Sequence, residues 1–141
     1  MTVSKAIINW LKEFNPENYW GIQKVSTDLM RQDVDYALVK EPVRSVKRFI
    51  SGTEIITEHY QFLARLDSYT DKDSEDNDAW IDALSEWISE RNRNKNYPKV
   101  DADQVQEIGI SSPGYMGRND KNEAIYQMTI FIRYMKKGEQ V

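Results

Sequence analysis

The stretch Ile56-Thr57-Glu58-His59-Tyr60-Gln61-Phe62-Leu63-Ala64-Arg65-Leu66-Asp67 decides how the rest of the chain must fold. In an extended backbone, successive side chains point to opposite faces. Ile56, Tyr60, Phe62, Ala64 and Leu66 then share one face, with Glu58 alone out of pattern. Thr57, His59, Gln61, Arg65 and Asp67 share the other, with Leu63 as its exception. This is a strand with one buried and one mostly wet face. A sheet of such strands needs an apolar cover on one side.

Two segments offer that cover. Val3, Ala6, Ile7, Trp10, Leu11 and Phe14 form one stripe on a 3.6-residue period, capped by Thr2 or Ser4 and ended by Asn15-Pro16. Trp80, Ile81, Leu84, Trp87 and Ile88 repeat the spacing, with Asp76 and Asp78 near the helix start, and Arg91 and Arg93 near its end. Asn94 to Pro98 closes that helix. The polar stretch Ser68–Asp78 before it reads as a loop.

The remaining strands follow outward. Tyr36 to Ile50 reads as extended, and Pro42, which cannot donate to a ladder, marks an edge strand or a bulge. Ser51-Gly52 is a turn signal. Ala124, Tyr126, Met128, Ile130, Ile132 and Tyr134 share one face of a last strand, while Ile125 and Phe131 imply partial cover on the other. Val105–Ser112 reads as a short strand. Ser112–Asn122, with Pro113-Gly114, Gly117 and Asn119-Asp120, reads as a loop too long for a tight turn. Glu17–Asp35 reads as packed and irregular, with room for one short strand, and Lys136–Val141 as a frayed tail. The expected fold class is α+β: two amphipathic helices on one face of a mostly antiparallel sheet, in a single domain over 1–141. Trp10, Leu84 and Trp87 are expected to be mostly buried in the folded subunit.

Composition narrows the function. The chain has 141 residues, 40% of them hydrophobic, with four Trp and no Cys. That is enough apolar mass for a core, without a disulfide framework. No apolar run reaches membrane-spanning length and no secretory signal pattern opens the chain. The net charge of −4 lacks the basic field of a general nucleic-acid binder, so sequence-specific nucleic-acid contact is not expected.

Candidate sites are few. His59, the single histidine, has no nucleophile motif beside it and reads as an ordinary exposed residue. Asp71, Asp73, Glu75, Asn77 and Asp82 loosely copy EF-hand spacing, but Asp76 replaces the turn glycine and the closing Glu is missing. They read as a solvated loop with helix-start charges. Neither a cofactor nor an enzymatic activity is expected. Lys40, Arg44, Lys47 and Arg48 form a basic cluster near an edge strand. They either block sheet aggregation or contact a neighbouring subunit or pore. Tyr115 and Arg118, in the Ser112–Asn122 segment, are residue types common at interface hot spots. That segment is either a connector or a partner contact that orders on binding.

Several segments, in order, resemble one family. They are Lys40-Glu41-Pro42 with Val46-Lys47-Arg48-Phe49-Ile50-Ser51-Gly52, then Glu58-His59-Tyr60-Gln61-Phe62. Glu86-Trp87-Ile88 runs on into Asn92-Arg93-Asn94 and Pro98. Last come Gly114-Tyr115 and Ala124-Ile125-Tyr126-Gln127-Met128 through Ile132-Arg133-Tyr134. From about Tyr36 to Lys136 the chain resembles the minor capsid or tail-terminator proteins of long-tailed bacteriophages and prophages. The resemblance implies a homo-oligomeric ring, often a hexamer, that caps the tail tube and meets the head–tail connector. It implies a place in the virion, at the tail or head–tail junction, after assembly in the host cytoplasm. Head-closure and tail-tube proteins share related plans. A small cytosolic ligand-binding domain or enzyme is the alternative, and it requires a concave pocket with converging polar groups.

Overall fold

The computed structural model describes residues 2–17, 19–22, 24–27, 36–67, 70–100, 104–118 and 123–138, with 113–118 as backbone. Its elements are α1 (Val3–Leu11), β1 (Val25–Ser26), β2 (Tyr36–Arg48), β3 (Glu54–Asp67), α2 (Asp71–Arg93), β4 (Gln104–Arg118) and β5 (Glu123–Lys136). The strands form one open sheet in the order β1-β2-β3-β5-β4, antiparallel except for the short β1–β2 pair.

The alternation of β3 and β5 sets the architecture. They pair without a break from Glu54↔Lys136 to Asp67↔Glu123. One face presents Ile56, Tyr60, Phe62, Ala64 and Leu66 beside Ala124, Tyr126, Met128, Ile130, Ile132 and Tyr134, all buried. Both helices lay their stripes on this face. Ile7, Trp10 and Leu11 come from α1, and Trp80, Leu84 and Ile88 from α2, to close one core. Trp87 is half-buried: its ring is tilted against that of Trp10, with centroids 4.7 Å apart, and the Arg91 guanidinium lies 4.6 Å over it. Trp87 thus packs against the core at the seam between the helices, less deeply than Trp10 and Leu84. Trp80 takes the central place, fully buried, its indole N–H donating to Trp20 O at 2.8 Å.

The N-terminal helix is capped by Thr2, whose hydroxyl accepts from Lys5 N. It ends at Leu11, before the stripe does, although Phe14 remains buried. α2 is longer than expected. The predicted loop over 68–78 is in large part its first two turns, because Thr70 and Asp73 close a capping box at Asp71. At its other end Asn96 N donates to Arg91 O and Lys95 N to Asn92 O, a Schellman closure with Lys95 at φ 56.

β4 supplies the largest correction. The predicted loop over 112–122 is strand as far as Arg118, with Tyr115↔Gln127, Met116↔Tyr126, Gly117↔Ile125 and Arg118↔Ala124 in register with β5. The turn-forming residues Pro113 and Gly114 sit in a register shift between Ser112 and Tyr115, one of three along this edge strand. Bulges absorb such residues and are common at sheet edges. Residues 119–122 of the expected loop lie outside the described residues.

Candidate interaction surface

β2 begins as core and ends as an arm. Tyr36, Ala37 and Leu38 are buried, and β1 covers only Tyr36 and Ala37 at the strand's outer edge. Beyond Lys40 the register with β3 shifts: Lys40 faces Tyr60, and the next pair is Arg44↔Glu58. Glu41-Pro42-Val43 therefore sit opposite His59 alone, the bulge that Pro42 announced. The hairpin then continues to Arg48↔Glu54 and turns through Phe49–Thr53. Phe49 N donates to Thr53 O at 2.9 Å and Gly52 N to Phe49 O at 2.9 Å. Gly52 has φ +86, a left-handed conformation that favours glycine, and Gly138 of the tail packs against it where a Cβ would collide.

The arm exposes apolar side chains. Val43 is 75% exposed, Phe49 is exposed and Ile50 lies wholly in solvent. Full burial of such a side chain contributes roughly 1.5–3 kcal/mol, so a partner surface has much to gain here. Basic residues flank them. Arg44 and Arg48 project on the helix-covered side with Val46, and Lys47 on the opposite side, as alternation requires. Arg48 Nε donates to Glu54 Oε2 at 2.8 Å and holds Glu54 below the usual carboxylate range. Lys47 Nζ lies 5.6 Å over the Phe49 ring. All four residues of the predicted basic cluster are exposed on β2, and Arg44, Lys47 and Arg48 lie together beyond the bulge. Tyr115 and Arg118 are elsewhere: their backbones lie on β4, with β3 and β5 between them and β2, toward the opposite end of the strands. The structure thus divides the five predicted contact residues between two sheet edges.

At the root of the arm sits the residue that broke the strand pattern. Glu58 is buried on the core face. Tyr134 donates its hydroxyl to Glu58 Oε1 at 2.8 Å. Lys40 Nζ, on a half-exposed side chain, lies 2.6 Å from Oε2. That approach is an ion pair without hydrogen-bond geometry, since Oε2 has no hydrogen-bond donor among the described residues. Tyr60 OH, also buried, has no such partner there. Burial, the largest cause, pushes the Tyr60 phenol up to about 12; the Ser4 hydroxyl opposes it, and the Glu58 carboxylate adds to it. Burial and the bond to Glu58 raise Tyr134 still further. Both phenols stay protonated at neutral pH, so they can act as donors to the carboxylate. The cluster ties the bulge of β2 to β3 and β5 at the root of the arm, whose β3 half stays paired with β5 as far as Glu54↔Lys136. Sequence alternation had flagged Glu58 but could not name partners 18 and 76 residues away.

The exposed face of α2 is the second feature that sequence reading missed. With the helix starting at Asp71, Asp71, Glu75, Asp78, Asp82, Glu86 and Glu90 fall on about a third of its circumference, and all are exposed. Asp78 accepts from Tyr126 OH at 2.9 Å. Glu75, Asp82, Glu86 and Glu90 have no ion-pair partner among the described residues. Like charges four apart on a helix destabilise it by roughly 0.2–0.5 kcal/mol per pair. Half-buried Ala79, Ala83 and Trp87 run beside the stripe. The EF-hand-like spacing is helical, and no group of metal-ligating residues gathers among the described residues.

Two features bear on the enzyme or ligand-binding alternative. His59 Nδ1 lies 3.4 Å from Ser111 Oγ on the outer sheet face, with no carboxylate bonded to the imidazole among the described residues. A cleft of about 310 Å³ is lined by Ala6, Asn9, Trp10, Glu13, Asn96, Tyr97 and Lys99. This is at the lower end for ligand sites. Its Trp10 indole N–H is already bonded to Asn96 O at 2.8 Å. No helix among the described residues is long and apolar enough to cross a membrane. A scan against protein-family models finds no match, and neither does a search of curated proteins.

Proposed function

We propose that this chain is a structural phage-assembly protein of the tail-terminator type. Copies associate into a ring, with six as the working number, that caps the tail tube and meets the head–tail connector. The chain works by contact and carries no catalytic site or cofactor. Its place is the virion, at the tail or head–tail junction. The ordered resemblance from Tyr36 to Lys136 is what suggests the family. The observation that carries the assembly reading is the arm: Val43, Phe49 and Ile50 are presented to solvent beside a core already closed by both helices. Apolar side chains exposed close together on one hairpin favour an interaction surface. The pocket reading has less behind it, since the cleft is small and its indole donor is spent.

Native mass spectrometry of the purified protein across micromolar concentrations tests the reading. A closed ring, or a concentration-dependent series ending in one, is expected. A strict monomer throughout would count against it.

A further inference from the structure

Resting on the assembly reading, we propose that the β2–β3 arm docks onto the exposed acidic face of α2 in a second copy of this chain. Three observations converge on that contact. The arm carries Arg44 and Lys47 without an ion-pair partner among the described residues, while Arg48 is engaged by Glu54. α2 carries Glu75, Asp82, Glu86 and Glu90 equally unpaired, in a stripe that repels itself. A neighbour's arm brings the missing positive charge to that stripe. The apolar parts match as well: Phe49 and Ile50 at the arm's tip meet the half-buried Ala79, Ala83 and Trp87 beside the acids.

Topology makes the contact intermolecular. α2 starts over the Tyr36 end of β2, where Trp80 stacks on Tyr36, and runs across the sheet to β4, where Asn92 accepts from Ile108 N. The arm lies at the other end of β2, so the Glu86 end of the stripe and the arm's tip are on opposite flanks of one subunit. A contact between two different patches is heterologous. It repeats head to tail and generates a ring when the rotation closes. The energetic division follows: burial of the tip supplies attraction, and the charges set register and partner choice.

The chain's lack of cysteine gives a clean test. Lys47→Cys and Glu86→Cys proteins are mixed under mild oxidation, with Gln104→Cys, exposed on β4, as the control partner. A disulfide joining the first two, well above that with the control, is expected. In parallel, Arg44→Glu/Lys47→Glu and Asp82→Lys/Glu86→Lys should each weaken assembly by about tenfold or more, and mixing the two reversed proteins should restore it. Circular dichroism confirms that each variant is folded. Rings that form normally with the reversed arm, or a crosslink no stronger than the control, would overturn this contact and leave the ring reading standing. A wild-type chain that never associates would overturn both.

Discussion

The β3–β5 pair and the β2–β3 arm are built from the same kind of strand, yet they obey opposite rules. In β3–β5 the register is unbroken, and alternate side chains are buried under two helices. In the arm the register breaks at Pro42, the helices do not reach the tip, and apolar side chains face water. Sheet propensity is common to both; cover is not. The inner face of the arm, with Val46 and Ile56, still meets the core; the apolar side chains left in water are those of the bulge and the turn, Val43, Phe49 and Ile50. Glu58 stands at the boundary, a buried carboxylate where the first regime gives way to the second.

The sharpest way to break this comparison is to truncate one large side chain on each side of it. Trp80→Ala removes a fully buried indole stacked on Trp20 and Tyr36 and should cost ~3–5 kcal/mol in urea unfolding. Ile50→Ser should stay within about 0.5 kcal/mol of wild type while weakening association. Equal losses from both would erase the distinction between core and arm.

At the boundary, Glu58→Ala should cost ~2–3 kcal/mol, because Tyr134 loses its acceptor in a buried setting and Lys40 its counter-charge. Half-exposure of Lys40 keeps the loss below that of a fully buried pair. A loss under about 0.5 kcal/mol would mean that the cluster does not hold the arm's root.

The same cluster predicts an alkaline limit. The folded pKa of Tyr60 lies near 12, above its ordinary 10.0, so the folded state favours the protonated phenol. Its contribution to stability is fully present below pH 10.0 and is lost as pH rises through about 12. Tyr134 shifts in the same direction. Phenolate absorbance followed with far-ultraviolet circular dichroism should show two phenols ionising late, with unfolding, while exposed tyrosines ionise near 10. Ionisation of all tyrosines in one step near pH 10, with the fold intact, would contradict the buried placement.

The smallest effect is at the end of α2. Lys95 holds a left-handed conformation at the Schellman position that glycine favours. Lys95→Gly should stabilise the protein by about 0.5–1 kcal/mol. A loss of stability would mean that the lysine side chain does more there than close the helix.

Much of the covered region was legible in sequence. Period-two alternation in β3 and β5 and the stripe of α1 each report burial directly, and Pro42 marked the bulge. The misreadings fall where composition and context disagree. Pro113, Gly114 and Gly117 are turn-forming residues, but an edge strand paired on one side only can carry them in bulges. The Asp- and Asn-rich start of α2 has weak helix propensity, and one capping box with the buried Asn77 and Trp80 outweighs it. That error hid the acidic stripe, which exists only once Asp71 to Asp78 are wound into the helix. Of the predicted contact residues, Arg44, Lys47 and Arg48 fall together on the arm, whereas Tyr115 and Arg118 belong to the other edge. Pairing across long sequence separations decides that division, and no local pattern encodes it.

The most direct test of the proposed tail-terminator role is deletion of the encoding gene from the phage or prophage that the proposal implies, followed by electron microscopy of the tails. The account predicts tails of irregular, extended length that fail to join heads, with normal length and joining restored by the wild-type chain but not by Arg44→Glu/Lys47→Glu. Tails of normal length, joined to heads, in the absence of the gene would contradict it.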